Sequence, residues 1–94
     1  MPSHDKARKF KVETAISRIR DIECGGCCVI EQNGKILSGS YSVKNGRGSG
    51  WEIEQDDFGF EDADAERLLE NAFDNCLGDK KSMSWAEICK GVSV

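Results

Sequence analysis

Residues 27–43, with the sequence CCVIEQNGKILSGSYSV, decide the fold of this chain. At their centre, Asn33-Gly34 is the dipeptide most typical of a two-residue type I′ turn, because both positions of that turn require positive φ. The turn joins two strands in which Gln32 pairs with Lys35 and the pairing continues outward. Because side chains alternate along a strand, one face of this predicted hairpin is apolar. That face carries Cys28, Ile30, Leu37, Tyr41 and Val43, and the opposite face carries Cys27, Val29, Ile36, Ser38, Ser40 and Ser42.

A third strand follows the hairpin. Residues 45–50, NGRGSG, form a glycine-rich connection, and the alternation of Trp51-Glu52-Ile53-Glu54 after it predicts a half-buried antiparallel strand. The connection superficially resembles a phosphate-binding loop. It lacks the Lys-Ser/Thr pair of that loop, and the element after it is a strand rather than a helix. A long hairpin connection is therefore the favoured interpretation.

Two helices are predicted beyond the strands. The longer one has apolar residues at i, i+3 and i+4 spacing, which is typical of a helix with one buried face. Asp62 or Asp64 is expected to cap its start and Gly78 to end it. After it, Ser82 or Ser84 starts a short C-terminal helix. The apolar stripe of the longer helix consists of Ala65, Leu68, Leu69, Ala72, Phe73, Cys76 and Leu77.

The N-terminal part of the chain has a mixed pattern. Within residues 10–22, isoleucines spaced three apart suit a helix face, whereas Phe10 and Val12 suit a strand. We therefore expect a helix, or a short strand that runs into one. Residues 1–9 are polar and are predicted to form a flexible tail.

Together these elements predict an α+β fold with two layers. A three-stranded antiparallel meander packs against one long helix, and a short C-terminal helix and a helical or mixed N-terminal segment complete the fold. With 94 residues the chain is long enough for one hydrophobic core. We therefore expect a single domain over residues 10–94.

Composition narrows the classes of protein to consider. A hydrophobic content of 38% with 32% charged residues and one proline is typical of a globular chain and argues against a disordered or fibrous one. Apolar runs stay well short of the roughly 18 residues of a membrane span, and no hydrophobic segment follows the N-terminal charges as in a secretory signal. We expect a cytoplasmic protein. Because the single histidine, His4, lies in the predicted tail, catalytic arrangements built on an ordered histidine find no support, and we expect no enzyme.

The five cysteines raise the question of a metal site. An odd number without a secretory signal argues against a disulfide framework. Cys24, Cys27, Cys76 and Cys89 offer the thiolates of a structural zinc site, but the second CxxC pair of such sites is missing. Cys76 and Cys89 instead extend the apolar faces of the two helices, where cysteine acts as a small hydrophobic residue. We favour core thiols and no cofactor, with a zinc site as the alternative and a redox-active thiol as a third option.

The acidic stretch of residues 52–66 is the strongest candidate for a binding surface. Eight carboxylates fall within these fifteen residues, without a lysine or arginine among them. The helix dipole explains those at the start of the long helix, since carboxylates are favourable there. It does not explain the four that precede the helix, which repel one another. The hypothesis of a surface that binds a basic partner therefore stands beside that of a plain solvated surface.

Charge is distributed unevenly along the whole chain. Residues 1–50 carry nine Lys and Arg against five Asp and Glu, whereas residues 51–94 carry four against twelve. The net charge is −4, which argues against direct binding of nucleic acid. The basic and acidic parts are also able to pair between two copies, so a homodimer stays among the hypotheses.

Two short motifs resemble a known class of protein. Cys24-Gly25-Gly26-Cys27 before a strand and Met83-Ser84-Trp85 in a terminal element are similar to parts of anti-CRISPR proteins, small acidic proteins of phages and mobile elements that inhibit bacterial defence enzymes. The chain resembles that class also in length, charge and order of elements. The resemblance implies an inhibitor of a CRISPR effector nuclease, with Ser82, Ser84 and Trp85 as contacts. Bacterial immunity proteins and antitoxins fit the same description.

The acidic surface and the resemblance together imply a protein-binding inhibitor that docks this surface on a basic, nucleic-acid-binding region of a defence nuclease. An aromatic side chain, with Phe60 among the candidates, would anchor the centre of the interface. The predicted contact residues are Trp51, Glu52, Glu54, Asp56, Asp57, Phe58, Glu61, Asp62, Asp64 and Trp85. The alternatives are a zinc-stabilised structural or adaptor domain and a bacterial immunity protein or antitoxin.

Overall fold

The computed structural model describes residues 9–19, 23–44, 47–76 and 80–92. Its elements are β1 (Lys9–Ile19), β2 (Glu23–Gln32), β3 (Lys35–Lys44), β4 (Arg47–Asp56), α1 (Asp62–Asn75), β5 (Lys80–Ser84) and α2 (Trp85–Ile88). The strands form one five-stranded sheet in the order β4-β3-β2-β1-β5, and every neighbouring pair is antiparallel. The fold is therefore α+β, as predicted.

The predicted hairpin forms the centre of the sheet. Asn33 and Gly34 have φ values of 53° and 84°, as a type I′ turn requires, and β2 and β3 pair in the predicted register. Cys28, Ile30 and Leu37 on the apolar face are at most 1% exposed. Since β4 pairs with β3, the three-stranded meander is present as β2–β4, within a larger sheet.

The N-terminal segment is a strand rather than the expected helical or mixed structure. β1 pairs with β2 on one side and with β5 on the other. Phe10, Val12 and Thr14 alternate with more exposed residues and are themselves buried. Burial with a period of two, between two neighbouring strands, outweighs the helix-like spacing of the isoleucines further along. Residues 1–8 of the predicted tail lie outside the described residues, and Lys9 already belongs to β1.

β5 is a further strand that the sequence does not predict. Met83 pairs with Phe10 on β1 and is 3% exposed, and it is the one apolar residue of the strand. A short C-terminal helix follows, with Ser84 as its N-cap. The Ser84 hydroxyl accepts the N–H of Glu87 at 3.3 Å, while the Glu87 carboxylate accepts the N–H of Ser84 at 2.8 Å. The hydrogen bonds from the backbone and hydroxyl of Ser84 lower the pKa of Glu87.

α1 lies over the buried face of the sheet and packs most extensively against β4. Four residues of the predicted stripe, Ala65, Leu68, Leu69 and Ala72, are at most 1% exposed. The N-cap is Glu61, without a side-chain cap bond, rather than the expected Asp62 or Asp64. The predicted terminator Gly78 lies outside the described residues. In the part of the chain that the structure describes, no helix combines the length and apolarity of a membrane span.

Gly39 on β3 allows α1 to approach the sheet closely. A Cβ atom at this position would lie 2.7 Å from Cδ1 of Leu69 and 2.8 Å from the backbone oxygen of Glu52. The first neighbour belongs to the helix and the second to the adjacent strand. Neither side therefore has room for a methyl group in a closely packed interior.

We expect Gly39→Ala to lower the free energy of unfolding by roughly 1–3 kcal/mol, as overpacking of a core does. Urea unfolding followed by circular dichroism measures the change. Ser40→Ala, at the next and only half-buried position, is the matched control. Equal stability of the two variants would show that the neighbours of Gly39 are not closely packed against it.

Candidate protein-binding site

The eight carboxylates of the acidic stretch lie along one edge of the domain. Three of them belong to β4, which is the outermost strand on this side of the sheet. Two lie in the connection after β4, and three lie in the first two turns of α1, which packs beside β4. Five are exposed and three are half-buried. We call this group the acidic edge; it comprises Glu52, Glu54, Asp56, Asp57, Glu61, Asp62, Asp64 and Glu66.

The acidic edge carries charge that no neighbour balances within the described residues. None of its carboxylates forms an ion pair with a described lysine or arginine. Arg67, the next basic residue after the acidic stretch, instead pairs with Glu70 at 2.9 Å. A group of negative charges this dense creates a negative potential, which attracts cations and basic surfaces. The arrangement therefore suits a partner that supplies the missing positive charge.

A hydrogen-bonded turn fixes the middle of the acidic edge. Asp56 Oδ1 accepts the backbone N–H groups of Phe58 at 3.0 Å and Gly59 at 3.2 Å, and Gly59 has a φ of 79°. The Asp57 carboxylate accepts Nε2 of Gln55 at 2.9 Å. Asp56 therefore shapes the turn as well as adding charge, and an aspartate three residues before a glycine is the sequence signal for such a turn.

Trp51 and Ile53 provide apolar surface beside the carboxylates. Both are half-buried, and with Glu52, Asp62 and Glu66 they line an open groove of about 480 Å³ between β4 and α1. The groove therefore combines an aromatic floor with acidic walls.

Two neighbouring rings hold the indole of Trp51 in place. Phe73 packs against it edge-on at 5.2 Å between ring centroids, and Tyr41 packs against it at 5.5 Å. The sequence interpretation included Trp51 as a contact residue but missed Ile53 and the two supporting rings. The alternation of residues 51–54 placed Trp51 and Ile53 on one face, but only the position of α1 makes that face a groove.

The other predicted aromatic contacts gather at a second place. Phe58 stacks on Phe60 at 5.7 Å, Phe60 stacks on Trp85 at 6.0 Å, and Trp85 packs on the buried Phe10 at 5.2 Å. The sequence names these rings as candidate contacts. They are half-buried, because the connection after β4 and the start of α2 both cover the ring of Phe10. We call these rings the aromatic patch; Phe58 directly follows Asp57 of the acidic edge in the chain.

The contact residues implied by the resemblance have different surroundings. Ser82 is exposed on β5, where it pairs with Lys11. The Ser84 hydroxyl is engaged in the capping of α2. Trp85 belongs to the aromatic patch. The structure thus gives Ser84 a structural role and places Trp85 nearest to the other candidate contacts.

The described cysteines lie on two sides of the sheet. Cys28 and Cys76 are buried at 0% and 2% exposure and Cys89 at 9%, whereas Cys27 is exposed on the opposite face. The side chain of Cys24 lies outside the described residues. Among the residues that are described, no three His, Cys, Asp or Glu side chains come together as a metal site would require. Burial, with smaller contributions from Cys76 and Cys27, raises the pKa of Cys28 to about 12, which keeps this thiol protonated and unreactive.

We expect alkylation of the folded protein by iodoacetamide at neutral pH to modify Cys27 and to leave Cys28 unmodified. The reason is that reaction requires an accessible thiolate, which burial denies to Cys28. Peptide mass spectrometry after a short reaction measures both sites in one sample, so each serves as the reference for the other. Protection of Cys27 that a zinc chelator removes would instead support the zinc site.

Known proteins supply no direct guide to this surface. No family model matches the chain, and no curated protein or solved structure matches it either. The functional proposal therefore depends on the charges, contacts and grooves of the described residues.

Proposed function

We propose that this chain is a small acidic inhibitor that binds the basic, nucleic-acid-binding surface of a bacterial defence nuclease, as anti-CRISPR proteins do. The observation that carries the proposal is the acidic edge, with eight carboxylates that form no ion pair in the described part of the chain. The helix dipole favours the carboxylates at the start of α1, but a purely solvated surface gains nothing from those that precede it, because exposed like charges lower stability by mutual repulsion. Lysine and arginine side chains of a basic partner would attract these carboxylates and so offset their repulsion.

Inhibition follows from competition for the same cations. A nuclease holds nucleic acid largely through lysine and arginine contacts to phosphates. Carboxylates of the acidic edge would occupy those side chains and exclude the phosphates. Electrostatic steering of this kind acts mainly on the association rate and weakens as salt screens the charges.

Two apolar regions support a stable complex rather than a transient encounter. Charge alone seldom gives high affinity, and interfaces generally depend on a few desolvated aromatic side chains near their centre. Three aromatic side chains are half-buried and held by neighbouring rings. They are Trp51 in the groove, and Phe58 and Trp85 in the aromatic patch. Side chains that are already fixed lose little conformational freedom on binding.

In this proposal the chain works in the cytosol of a bacterial host. It acts by occupying a surface, so it requires neither catalysis nor a cofactor, and it contacts the nuclease rather than the nucleic acid. The exposed carboxylates of the acidic edge would repel phosphates directly.

Capture from a host lysate tests the proposal. The tagged protein is incubated with lysate at low salt, washed, and eluted with a salt step, and the eluted proteins are identified by mass spectrometry. We expect a basic nuclease or nuclease complex, and we expect the purified protein to inhibit its cleavage of DNA or RNA. A captured nuclease whose cleavage continues at saturating inhibitor would contradict the proposal, as would recovery of no nucleic-acid enzyme.

A further inference from the structure

We infer that the edge of β4 receives an extended basic segment of the partner as an additional strand, with alternate Lys or Arg side chains in the groove below α1. This inference rests on the proposed function and specifies how the acidic edge engages its target. Its elements are an open sheet edge, a groove beside that edge, and two carboxylates with suitable spacing.

β4 has an unoccupied side within the described sheet. In the order β4-β3-β2-β1-β5 it has β3 as its neighbour on one side and no described strand on the other. Residues 51–53 pair regularly with Tyr41, Ser40 and Gly39, between two register irregularities. In an antiparallel ladder, alternate residues direct their N–H and C=O groups away from the existing neighbour. These groups can pair with an incoming strand, as in β-strand addition to other sheet edges.

The spacing of the carboxylates on α1 matches the spacing of side chains on such a strand. Asp62 and Glu66 both line the groove and lie four residues apart in the helix. This separation corresponds to about 6 Å along the helix axis. Side chains on one face of a strand repeat at about 6.8 Å. α1 crosses the sheet from β4 toward β1, so the two repeats are not collinear, but the long lysine or arginine side chains on one face of an added strand can reach both carboxylates.

The floor of the groove also favours a cation. The half-buried ring of Trp51 lies between the acidic walls, and a tryptophan face attracts ammonium and guanidinium groups. Glu70, one helical turn beyond Glu66, is already paired with Arg67 and so does not count as an available carboxylate. The available charge is thus concentrated at Asp62, Glu66 and the neighbouring Glu52 on β4.

Charge complementarity selects a basic segment over a second copy of β4. Symmetric pairing of two β4 edges would bring Glu52 and Glu54 of one copy close to the same residues of the other. Like charges placed opposite each other destabilise strand pairing. An extended segment with Lys or Arg at alternate positions instead directs all of these cations to one face, where Asp62 and Glu66 line the groove.

A model peptide tests the inference without knowledge of the target. The probe is a capped peptide of about seven residues in which lysine alternates with threonine, a length that covers the regular part of β4. Hydrogen exchange of the full protein is measured with and without the peptide. We expect added protection at those amides of residues 51–53 that point away from β3, and no protection from a peptide with glutamate in place of lysine.

Backbone methylation separates strand addition from simple charge attraction. Successive residues of a strand direct their N–H groups to opposite sides. Methylation of one alternate set of peptide nitrogens should therefore abolish binding, whereas methylation of the other set should leave it intact. Equal binding of the two methylated peptides overturns the inference, while the proposed function, which does not require strand pairing, survives.

Protein variants test the two carboxylates on α1. We expect Asp62→Asn combined with Glu66→Gln to weaken peptide binding roughly tenfold, since each exposed pair contributes up to about 1 kcal/mol. Asp74→Asn combined with Glu87→Gln removes the same charge from exposed residues away from the groove and should have little effect. Equal losses in the two double variants overturn the inference. Self-association of the free protein through β4, visible as loss of the same exchange with rising concentration, overturns it as well.

Discussion

Conversion of Glu54, Asp56 and Asp57 to their amides is expected to slow association with the target by roughly 10- to 100-fold at low salt, the range over which electrostatic steering acts. The amide oxygens can still accept the hydrogen bonds of the turn from Phe58, Gly59 and Gln55. The fold should therefore persist while three negative charges disappear. Stopped-flow or surface-plasmon measurements of the association rate, at several salt concentrations, test this expectation.

The matched control removes the same charge elsewhere. Glu31→Gln, Asp74→Asn and Glu87→Gln also neutralise three carboxylates, none of which belongs to the acidic edge. We expect the control to retain most of the association rate and most of its dependence on salt. If both triple variants slow association equally, net charge rather than the acidic edge governs binding.

Replacement of Asn71 by alanine is expected to destabilise the fold by roughly 2–4 kcal/mol, a large share of the stability of a domain of this size. Asn71 on α1 is 8% exposed, and its Nδ2 donates to the backbone oxygens of Ile88 at 2.8 Å and Lys90 at 2.7 Å. This single side chain therefore ties the end of α2 to α1. Its loss leaves two carbonyl groups without this donor.

Urea unfolding measures the effect of Asn71→Ala, and hydrogen exchange shows whether residues 88–92 lose protection first. Asn75→Ala is the control, because Asn75 is exposed and, among the described residues, donates to the carbonyl of Asn71 within the same helix. We expect the control to change stability by less than about 1 kcal/mol. Similar stability of the two variants would show that the bonds from Asn71 do not secure the C-terminal helix.

The elements that the sequence predicts best are those that depend on local signals. Asn33-Gly34 specifies its turn through backbone conformation alone, and the register of β2 and β3 follows from it. The stripe of α1 is equally local, since residues three and four apart share a helix face. In the structure the predicted turn is a turn and the predicted helix is a helix.

Long-range pairing determines the elements that the sequence did not reveal. Residues 10–22 contain both a helix-like and a strand-like spacing, and the presence of β2 and β5 on either side selects the strand. β5 has only Met83 as an apolar residue, so its pairing with β1 is invisible in its own sequence. Strand preferences depend strongly on such neighbours.

The candidate site also has a part that the sequence predicts and a part that only the fold reveals. The positions of charged residues can be read directly from the sequence, so the eight carboxylates of the acidic edge are predictable as a group. The groove was not, because it exists only where α1 packs beside β4. Asn71 gave one usable signal, a polar residue next to the apolar positions Leu68 and Ala72, but its acceptors lie 17 and 19 residues away.

Displacement of nucleic acid from the captured nuclease tests the central claim most directly. A fluorescent oligonucleotide is bound to the nuclease, the protein is titrated in, and anisotropy reports how much oligonucleotide stays bound. Competition for the same lysine and arginine side chains predicts stoichiometric release by the wild-type protein and much weaker release by the Glu54, Asp56 and Asp57 amide variant. A ternary complex, in which the nuclease holds both the oligonucleotide and the wild-type protein, would contradict it.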